Sequence, residues 1–569
     1  MDQKMLLMEN GENFIARLRK AWPFWCFFVL ILLSMVPLLL DLIPQRDVAF
    51  RYAPMAEAFR DGDFTYAFHP RTGFLHTFTA GIFAWIFNFS GFTACKVSSL
   101  LFMGLGIFPL FALMQRVYSR TMAEICTFIY VLASQLQRLA WSGLRDSHKT
   151  FLILLAGYAV IVIYQERKNW RAYLCLGTAV GLGIVTRGDL VLFMSLIFFW
   201  GIIMELDLKK FPWRSAAAGV LATALAMPCI ILNWYFAGVA VPEIRFAWLF
   251  RKVFQRYPDL TDTLPLIAAG IVLSFLAAWV VRRMIDAGYG KILTGISITG
   301  LAAALVWRIL SPDFYLAVSV RVYFGSLFQG FFPVFAVTGL VGIGVRLYRK
   351  QWTKEESLLA LLLFGHAVLV CAQIILNDCF LYVSSRYLIS ASPLEFGWSA
   401  AGIFALWKLL TDRIREKHPH LIQRAGILAF FLAVCGFLYD FYNPFIREYM
   451  TSKWQRYHAG LQRIADVIRQ DYKGPAEFRP EVEAGQYILN RNPAVLYLAC
   501  GKNSQKLAPD RGRVIVSAYI ARGRVVRKLD EADYIVEKYS VDNQLPDGLV
   551  FLDAVELGKA KYRIWKKSR

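Results

Sequence analysis

The sequence is poor in charge for its length. Of its 569 residues, 18% are charged and 57% are hydrophobic, whereas soluble proteins carry about a quarter charged residues. Apolar runs of roughly 17–23 residues recur between Ala21 and Asp440, and this length crosses a hydrocarbon core about 30 Å thick. The runs do not alternate apolar and polar residues, which argues against a transmembrane β-barrel. The composition predicts a polytopic α-helical membrane protein.

Several motifs with a defined chemistry are missing from the sequence. It contains no P-loop, dinucleotide fingerprint, HExxH or GxSxG motif, which argues against an ATP-driven transporter and against a serine hydrolase. The nine cysteines show no CxxC spacing and mostly fall inside apolar segments, as small side chains of a membrane core do. The net charge of +22 comes without basic runs interleaved with aromatic residues, so nucleic acid is not an expected partner.

Basic residues collect instead in short loops between the apolar runs. Lysine and arginine hold such loops on the cytoplasmic side of a membrane. Arg17, Arg19 and Lys20 flank the first apolar run and therefore predict a cytoplasmic N-terminus. Each later pair of basic clusters encloses two apolar segments, with one exception near the N-terminus.

The exception concerns the apolar stretches 21–43, 73–90 and 93–114, since three crossings would place the basic cluster at Arg116 outside. The stretch 73–90 is short, aromatic and contains a histidine, so we predict a helix lying at the membrane interface. About thirteen transmembrane helices then remain, and the chain after Asp440 lies on the outer side. The predicted outer face collects the stretches 44–92, 141–148, 186–189, 238–262, 311–324 and 377–386.

The composition changes after residue 450, where no run reaches membrane length. WQRYHAGLQRIADVIRQ spaces its apolar residues as a helix does, while VLYLAC, VIVSAY, YIVEKY and VFLDAVEL are short β-rich runs. We therefore predict a transmembrane domain over 1–450, with its first outer loop at 44–92, and an extracytoplasmic α/β domain over 451–569.

Ionisable side chains gather at helix ends on the predicted outer face. Such groups are costly near the hydrocarbon boundary and commonly line a site or a pathway. Each alone would serve as a helix-end anchor or a surface ion pair, but so many on one face indicate a site. They are Asp47, Arg51, Glu57, Asp61, Asp63, His69 and Arg71 in the first loop, then Arg145, Asp146, His148, Arg187 and Asp189, and later Glu243, Arg245, Arg251, Lys252, Arg256, Asp313, Arg321, Asp378 and Arg386.

These residue types suggest one chemistry. A carboxylate can take the proton of a hydroxyl acceptor, and clustered arginines bind phosphate in a bidentate way. Together they suit transfer of a sugar from a lipid-phosphate carrier, because the departing phosphate needs cations. The alternative is a transporter or lipid flippase, which would be expected to have two corresponding halves with broken helices; no half-to-half similarity is visible. A divalent cation, Mg²⁺ or Mn²⁺, stays open because the carboxylates show no tight ligand spacing.

In its layout the chain resembles the GT-C superfamily of integral membrane glycosyltransferases, which use lipid-phosphate-linked sugars. The likeness is strongest to the bacterial branch that includes the lipid A aminoarabinose transferase, with protein O-mannosyltransferases more distant. RYAPMAEAFRDGDF (51–64) resembles the first-loop motif of that branch, and FHP (68–70) stands where it has His-Pro-Pro or Lys-Pro-Pro. The stretch 73–90 is similar to its juxtamembrane helix. Further similar segments are Arg145-Asp146, TRGD (186–189) and SRYL (385–388).

The likeness has departures. Val48 stands where the family has a second acidic residue, and Asp47 lies four residues before Arg51 rather than three. The resemblance implies Asp47 as the base or acceptor-orienting carboxylate, with Glu57 or Asp61 as alternatives. It implies Asp146 as a second acidic group that holds acceptor or metal. Candidates for binding the carrier phosphate are Arg51, Arg187 and Arg386, those for the sugar pocket are Tyr52 and His69, and further substrate-binding candidates are Arg145, Arg321 and Tyr387.

The resemblance also implies partners and a location. The donor would be a polyprenyl-phosphate-linked hexose or pentose, and the acceptor a glycolipid, a polysaccharide or a protein. The protein would lie in the cytoplasmic (inner) membrane of a bacterium, with the C-terminal domain in the periplasm.

Overall fold

A computed structural model of the protein describes residues 21–39, 47–68, 73–206, 211–242, 254–292, 333–376, 385–415 and 419–445, four strand segments between 514 and 567, and a few single positions. These residues are mainly helical, as the composition predicts. The helices are α1 Trp22–Leu39, α2 Ala53–Arg60, α3 Phe64–Ala67, α4 Phe74–Phe87, α5 Gly91–Leu105, α6 Ile107–Val117, α7 Arg120–Leu132, α8 Ser134–Trp141, α9 Asp146–Gln165, α10 Trp170–Ile184, α11 Gly188–Glu205, α12 Trp213–Ala237, α13 Leu260–Asp286, α14 Pro333–Tyr348, α15 Lys354–Leu376, α16 Ser385–Ile389, α17 Phe396–Arg415 and α18 Pro419–Phe445.

Five helical segments in the described part of the chain are long and apolar enough to cross a membrane. On α13, large apolar side chains such as Leu266, Val272 and Leu273 are exposed, as the surface of a lipid-facing helix would be. The protein is therefore a multi-pass membrane protein, while thirteen crossings and the orientation stay predictions. The five segments are Gly91–Val117 (α5 with α6), α9, α11, α12 and α13.

Two helical segments are interrupted, and Tyr130 takes part in a hydrogen bond at each interruption. The first break is at Gly106, between α5 and α6, and the second at Ala133, between α7 and α8. The Tyr130 hydroxyl donates to the Met103 carbonyl at 2.8 Å, and the Tyr130 carbonyl accepts from Gln137 Nε2 at 2.9 Å. A break frees backbone carbonyls that lipid cannot satisfy, so these side-chain bonds keep both kinks hydrogen-bonded.

Helix pairs approach closely at small residues. A Cβ added at Gly177 or Gly181 of α10 would lie 2.5 Å from the carbonyl oxygen of Ala218 or Ala222 on α12. On α14, a Cβ at Gly342 would overlap the carbonyl oxygen of Trp398 on α17. Lipid supplies no hydrophobic driving force between helices, so such close backbone packing supplies much of the association energy.

The first predicted outer loop is largely helical. A π-helical turn, Val48–Tyr52, leads into α2, and α3 and α4 follow. The Phe59 ring of α2 lies 5.6–5.8 Å from the rings of Phe64, Phe68 and Phe78, which packs the three helices together. The apolar stretch 73–90 forms α4, and its position at the membrane interface stays a prediction.

The strands form a four-stranded mixed sheet in the order β1-β2-β4-β3. β1 and β2 are parallel, whereas β4 is antiparallel to both β2 and β3. β1, β2 and β3 coincide with three predicted runs. β4, AKYRIWKK, was not predicted, because basic residues obscure its alternation. VLYLAC and most of the predicted helix near 460 lie outside the described residues. The strands are β1 Val514–Ser517, β2 Tyr534–Lys538, β3 Leu549–Leu557 and β4 Ala560–Lys567.

The chain divides into two compact units. The first comprises Met1–Ser34, Leu101–Leu139 and Arg145–Phe437, and it contains most of the membrane-length helices. The second comprises Met35–Leu100, Ala140–Leu144 and Leu438–Arg569, with the helical first loop and the sheet. The domain boundary at 450 stays a prediction.

Candidate functional site

Two carboxylates stand in the first turns of α9 and α11. Asp146 opens α9, and Asp189 is the second residue of α11. The intervening α10 runs back across the bundle, so both helices begin on the same side. A carboxylate at a helix N-terminus gains about 0.3–1 kcal/mol from the helix dipole. This local gain explains why acidic residues are tolerated here, and their burial requires cationic partners as well.

Arg187 joins these two carboxylates. Its backbone is extended immediately before α11, so the side chain turns back toward α9. Its Nη1 lies 2.5 Å from Asp146 Oδ1 and its Nε lies 2.7 Å from Asp189 Oδ1. Burial alone would lower the pKa of Arg187, but Asp146 and Asp189 more than offset this and raise it above its ordinary value. The guanidinium therefore stays charged.

Lys149 adds a second cation to Asp189. It lies one turn after Asp146 on α9 and is fully buried. Its Nζ is 2.7 Å from Asp189 Oδ2 and 3.0 Å from the carbonyl oxygen of Tyr387. Asp189 thus accepts from two cationic side chains, and α9, α11 and α16 are tied together through polar contacts.

The ring of Tyr387 carries two guanidinium groups. The Cζ of Arg187 lies 4.3 Å from its centroid, and the Cζ of Arg386 lies 5.3 Å away. Both distances fall within the range of cation–π attraction, which is worth about 0.5–2 kcal/mol. Arg386 and Tyr387 are half-buried, so this is the open side of the site.

We call Arg145, Asp146, Lys149, Arg187, Asp189, Arg386 and Tyr387 the Arg187 cluster. Arg145 joins it through Nη1, which lies 3.5 Å from the carbonyl oxygen of Thr186. The cluster has four basic and two acidic side chains, an excess of two positive charges. Asp146 Oδ2 is buried and has no hydrogen-bond partner among the described residues. The site can therefore bind an anion through its guanidiniums and accept a hydrogen bond at Asp146 Oδ2.

An apolar groove of about 200 Å³ runs along α9, α11 and α15. On α11 it extends from Phe193 to Trp200, and Phe193 lies four residues, or about 6 Å, along the helix from Asp189. It opens sideways, because the lining residues Leu196 and Leu361 are 52% and 64% exposed. The groove thus begins about one turn from the Arg187 cluster and is open at the surface of these helices.

His366 of α15 is a further buried polar residue near the cluster. It is 1% exposed, and its ring meets Phe193 edge-on at 5.2 Å. Neither ring nitrogen has a hydrogen-bond partner in the described part of the chain. His366 was not among the predicted site residues.

The predicted first-loop residues lie in the second unit. Asp47 and Arg51 are half-buried, and the π-helical turn begins directly after Asp47. π-Helical turns are rare in proteins overall, and those that occur are frequently found at functional sites. Tyr52 is buried, and its ring lies 5.0 Å from that of His76. Glu57 is 7% exposed, and its Oε1 accepts the backbone N–H of Gly91 at 2.8 Å, which stabilises the N-terminus of α5.

The structure thus brings together five of the predicted site residues in the first unit, namely Arg145, Asp146, Arg187, Arg386 and Tyr387. His69 and Arg321 lie outside the described residues. Asp189 was among the ionisable residues predicted to gather on the outer face but was given no role of its own, and Lys149 was not predicted. One signal for Lys149 was available, because a lysine one turn inside a membrane-length helix is costly unless it is paired. Within the described residues, no group of three or more His, Cys, Asp or Glu side chains is arranged to hold a metal ion, so the metal question stays open.

Comparisons with known proteins bear on the family and the fold. The family model of dolichyl-phosphate-mannose-protein mannosyltransferases matches residues 69–234, a range that contains α9, Arg187 and α11. No curated protein matches the sequence.

Among solved structures, the chain matches the Archaeoglobus fulgidus oligosaccharyltransferase in complex with zinc and sulfate, at 13% identity and a TM-score of 0.53, over 91% of this chain and 68% of that one. AglB, an oligosaccharyltransferase from the same organism, in complex with an inhibitory peptide and a dolichol-phosphate matches at 13% identity and a TM-score of 0.52, over 92% of this chain and 70% of that one. ArnT from Cupriavidus metallidurans bound to undecaprenyl phosphate matches at 14% identity and 0.42, over 96% and 98%. The resemblance to GT-C membrane glycosyltransferases is confirmed by the family model and the fold.

Proposed function

We propose that this chain, a helical membrane protein of the GT-C type, transfers a sugar from a polyprenyl-phosphate-linked donor to an acceptor on the outer face of the cytoplasmic membrane. The observation that carries the proposal is the Arg187 cluster, an anion site with two excess positive charges at one end of membrane-length helices. Dolichol-phosphate in the related archaeal fold supports a lipid phosphate as the anion.

In this proposal Arg187 and Arg386 bind the carrier phosphate. Both guanidiniums lie against one ring, and Asp146 and Asp189 take only the Nη1 and Nε groups of Arg187. Because the hydrogen bonds of Arg187 to described residues use Nη1 and Nε, we assign its Nη2 to a phosphate oxygen, with Arg386 on the half-buried side. Phosphate released as a monoester carries about −1.5 to −2 charges at neutral pH, more than the diester from which it departs. The cluster would therefore stabilise the departing group more than the bound donor.

The apolar groove supports the lipid part of the donor. Two of the helices that line the groove, α9 and α11, also carry residues of the Arg187 cluster, and the third, α15, carries His366. In this proposal the open side of the groove faces the lipid. A polyprenyl chain seated there would place its phosphate at the N-termini of α9 and α11, where backbone N–H groups also favour an anion.

The transfer requires a group that receives the acceptor's proton. The acceptor oxygen forms a bond to the anomeric carbon, the bond between that carbon and the phosphate oxygen breaks, and the phosphate leaves with the bonding electrons. We assign the proton to Asp47, on the motif resemblance and its position before a π-helical turn. Within the first unit, Asp146 Oδ2 would accept a hydrogen bond from the bound substrate. The bond from the Gly91 N–H to Glu57 Oε1 makes Glu57 a helix-capping residue instead of the base. We further propose that residues 451–569 form an outer domain that helps to select the acceptor.

The test is transfer by the purified protein in lipid nanodiscs, using labelled polyprenyl-phosphate sugars and acceptor fractions from a bacterial envelope. We expect transfer by the wild-type protein and its collapse in folded Asp47→Asn. Glu57→Gln, which keeps an oxygen acceptor for Gly91, should retain transfer. Absence of transfer from every donor, together with movement of the labelled lipid across proteoliposome membranes, would instead establish the flippase.

A further inference from the structure

Burial of the Lys149 side chain carries a large free-energy cost. Its side chain has no exposed surface, although it lies in a membrane-length helix. Burying an amino group costs several kcal/mol unless its partners are well placed. With no exposed side-chain surface, Lys149 is the most deeply buried cation of the Arg187 cluster, whereas Arg386 is half-buried at its open side.

Charge balance does not explain Lys149. Without it, the Arg187 cluster would still have three basic and two acidic side chains. The excess of positive charge would fall from two to one, so neutralising the two carboxylates does not require this lysine. The reason for this lysine therefore lies in the groups to which it donates.

Its two acceptors each support one of the arginines. Asp189 receives Lys149 at Oδ2 and holds the Nε of Arg187 at 2.7 Å through Oδ1. The Tyr387 carbonyl receives Lys149 at 3.0 Å, and this residue follows Arg386 directly in α16 and presents its ring to both arginines. One amino group thus fixes the carboxylate that orients Arg187 and the backbone that places Arg386.

We propose that Lys149 is a positioning residue for anion binding: it sets the spacing between Arg187 and Arg386 without touching the ligand. The inference rests on the proposed function, because it takes the ligand to be the carrier phosphate. Lys149 locks α11 and α16 onto α9, so that both guanidiniums meet one phosphate group.

The test compares Lys149→Met, which keeps length and bulk but loses the donor, in two backgrounds. In the wild-type background we expect the donor KM to rise about tenfold or more, the equivalent of one charged hydrogen bond, with a smaller change in kcat. In the Arg386→Gln background, where one supported arginine is already gone, the same change should raise KM less than about threefold. Arg116→Gln, which removes a half-exposed cation beyond the other end of α9, serves as the matched control and should leave KM unchanged.

A second variant separates positioning from folding. Lys149→Met with Asp189→Asn removes both charges of the pair, so thermal stability should recover relative to Lys149→Met alone. The donor KM should stay high, because Arg187 has lost its support. An equal rise in KM in both backgrounds, or a double variant with the KM of the wild type, would overturn the inference while leaving sugar transfer established. Failure of the wild-type protein to transfer sugar from any donor would instead remove the proposed function.

Discussion

Arg187 Nη1 lies 2.5 Å from Asp146 Oδ1, and the two residues are 41 positions apart in the chain. This contact joins the start of α11 to the start of α9, and it leaves the other oxygen of Asp146 without a partner among the described residues. One carboxylate thus has two tasks: it neutralises an arginine and offers a lone pair to a ligand.

Replacing Asp146 with asparagine should destabilise the protein as well as impair transfer. The substitution keeps the shape but leaves buried Arg187 with a single carboxylate, and breaking a buried pair costs about 3–5 kcal/mol. Thermal unfolding in nanodiscs measures the effect. Glu166→Gln, at the exposed end of the same helix, is the control and should not change the unfolding temperature measurably. Equal stability of Asp146→Asn and wild type would show that the pair does not hold α9 and α11 together.

Replacing Arg386 with lysine should raise the donor KM about tenfold, although the charge is kept. A lysine offers a point charge and loses both the planar fork for phosphate and the stacking on Tyr387. Steady-state kinetics with a purified donor measure KM and kcat separately. A donor KM unchanged in Arg386→Lys would mean that this arginine does not bind the phosphate.

A larger side chain in the groove should weaken binding of donors with a long lipid tail more than binding of donors with a short one. Gly365 lines the groove, and a Cβ added there meets no atom within 4 Å, so Gly365→Leu projects into the groove without a clash at its Cβ. We expect a higher KM for a long-chain donor and little change for a donor of two isoprene units. Gly344→Leu, also free of neighbours within 4 Å but away from the groove, is the control. The same KM ratio for both tail lengths in both variants would exclude the groove as the tail site.

Adding one methyl group at Gly342 should loosen α14 from α17. Its Cβ would overlap the backbone carbonyl of Trp398, which cannot move as a side chain does. Overpacking of this kind costs about 1–3 kcal/mol, and thermal unfolding of Gly342→Ala measures it. Gly344→Ala, two residues along the same helix, should unfold like the wild type. Wild-type stability of Gly342→Ala would show that the two helices are free to separate.

Much of the helical frame is readable from the sequence, because membrane-length apolar runs and basic loops are local features. The helix at 74–87 and the starts of α9 and α11 follow from run length, charge and first-turn acids. The meeting of Lys149 with Tyr387 spans 238 positions, and no local pattern encodes it. From sequence alone, a lysine in an apolar run could extend its amino group to the membrane interface, or it could form a buried ion pair with a carboxylate. Glu57 shows the same limit, since its partner Gly91 is 34 positions away.

Binding of the carrier without its sugar tests the central claim most directly. Undecaprenyl phosphate and undecaprenol share one tail and differ in the phosphate, so the ratio of their Kd values isolates the head group. We predict that the wild-type protein in nanodiscs binds the phosphate at least about a hundredfold more tightly, as two charge-assisted contacts would give. Arg386→Gln should lose most of that ratio and keep its affinity for the alcohol. Equal binding of the two lipids by the wild-type protein, or an unchanged ratio in the variant, would contradict the account.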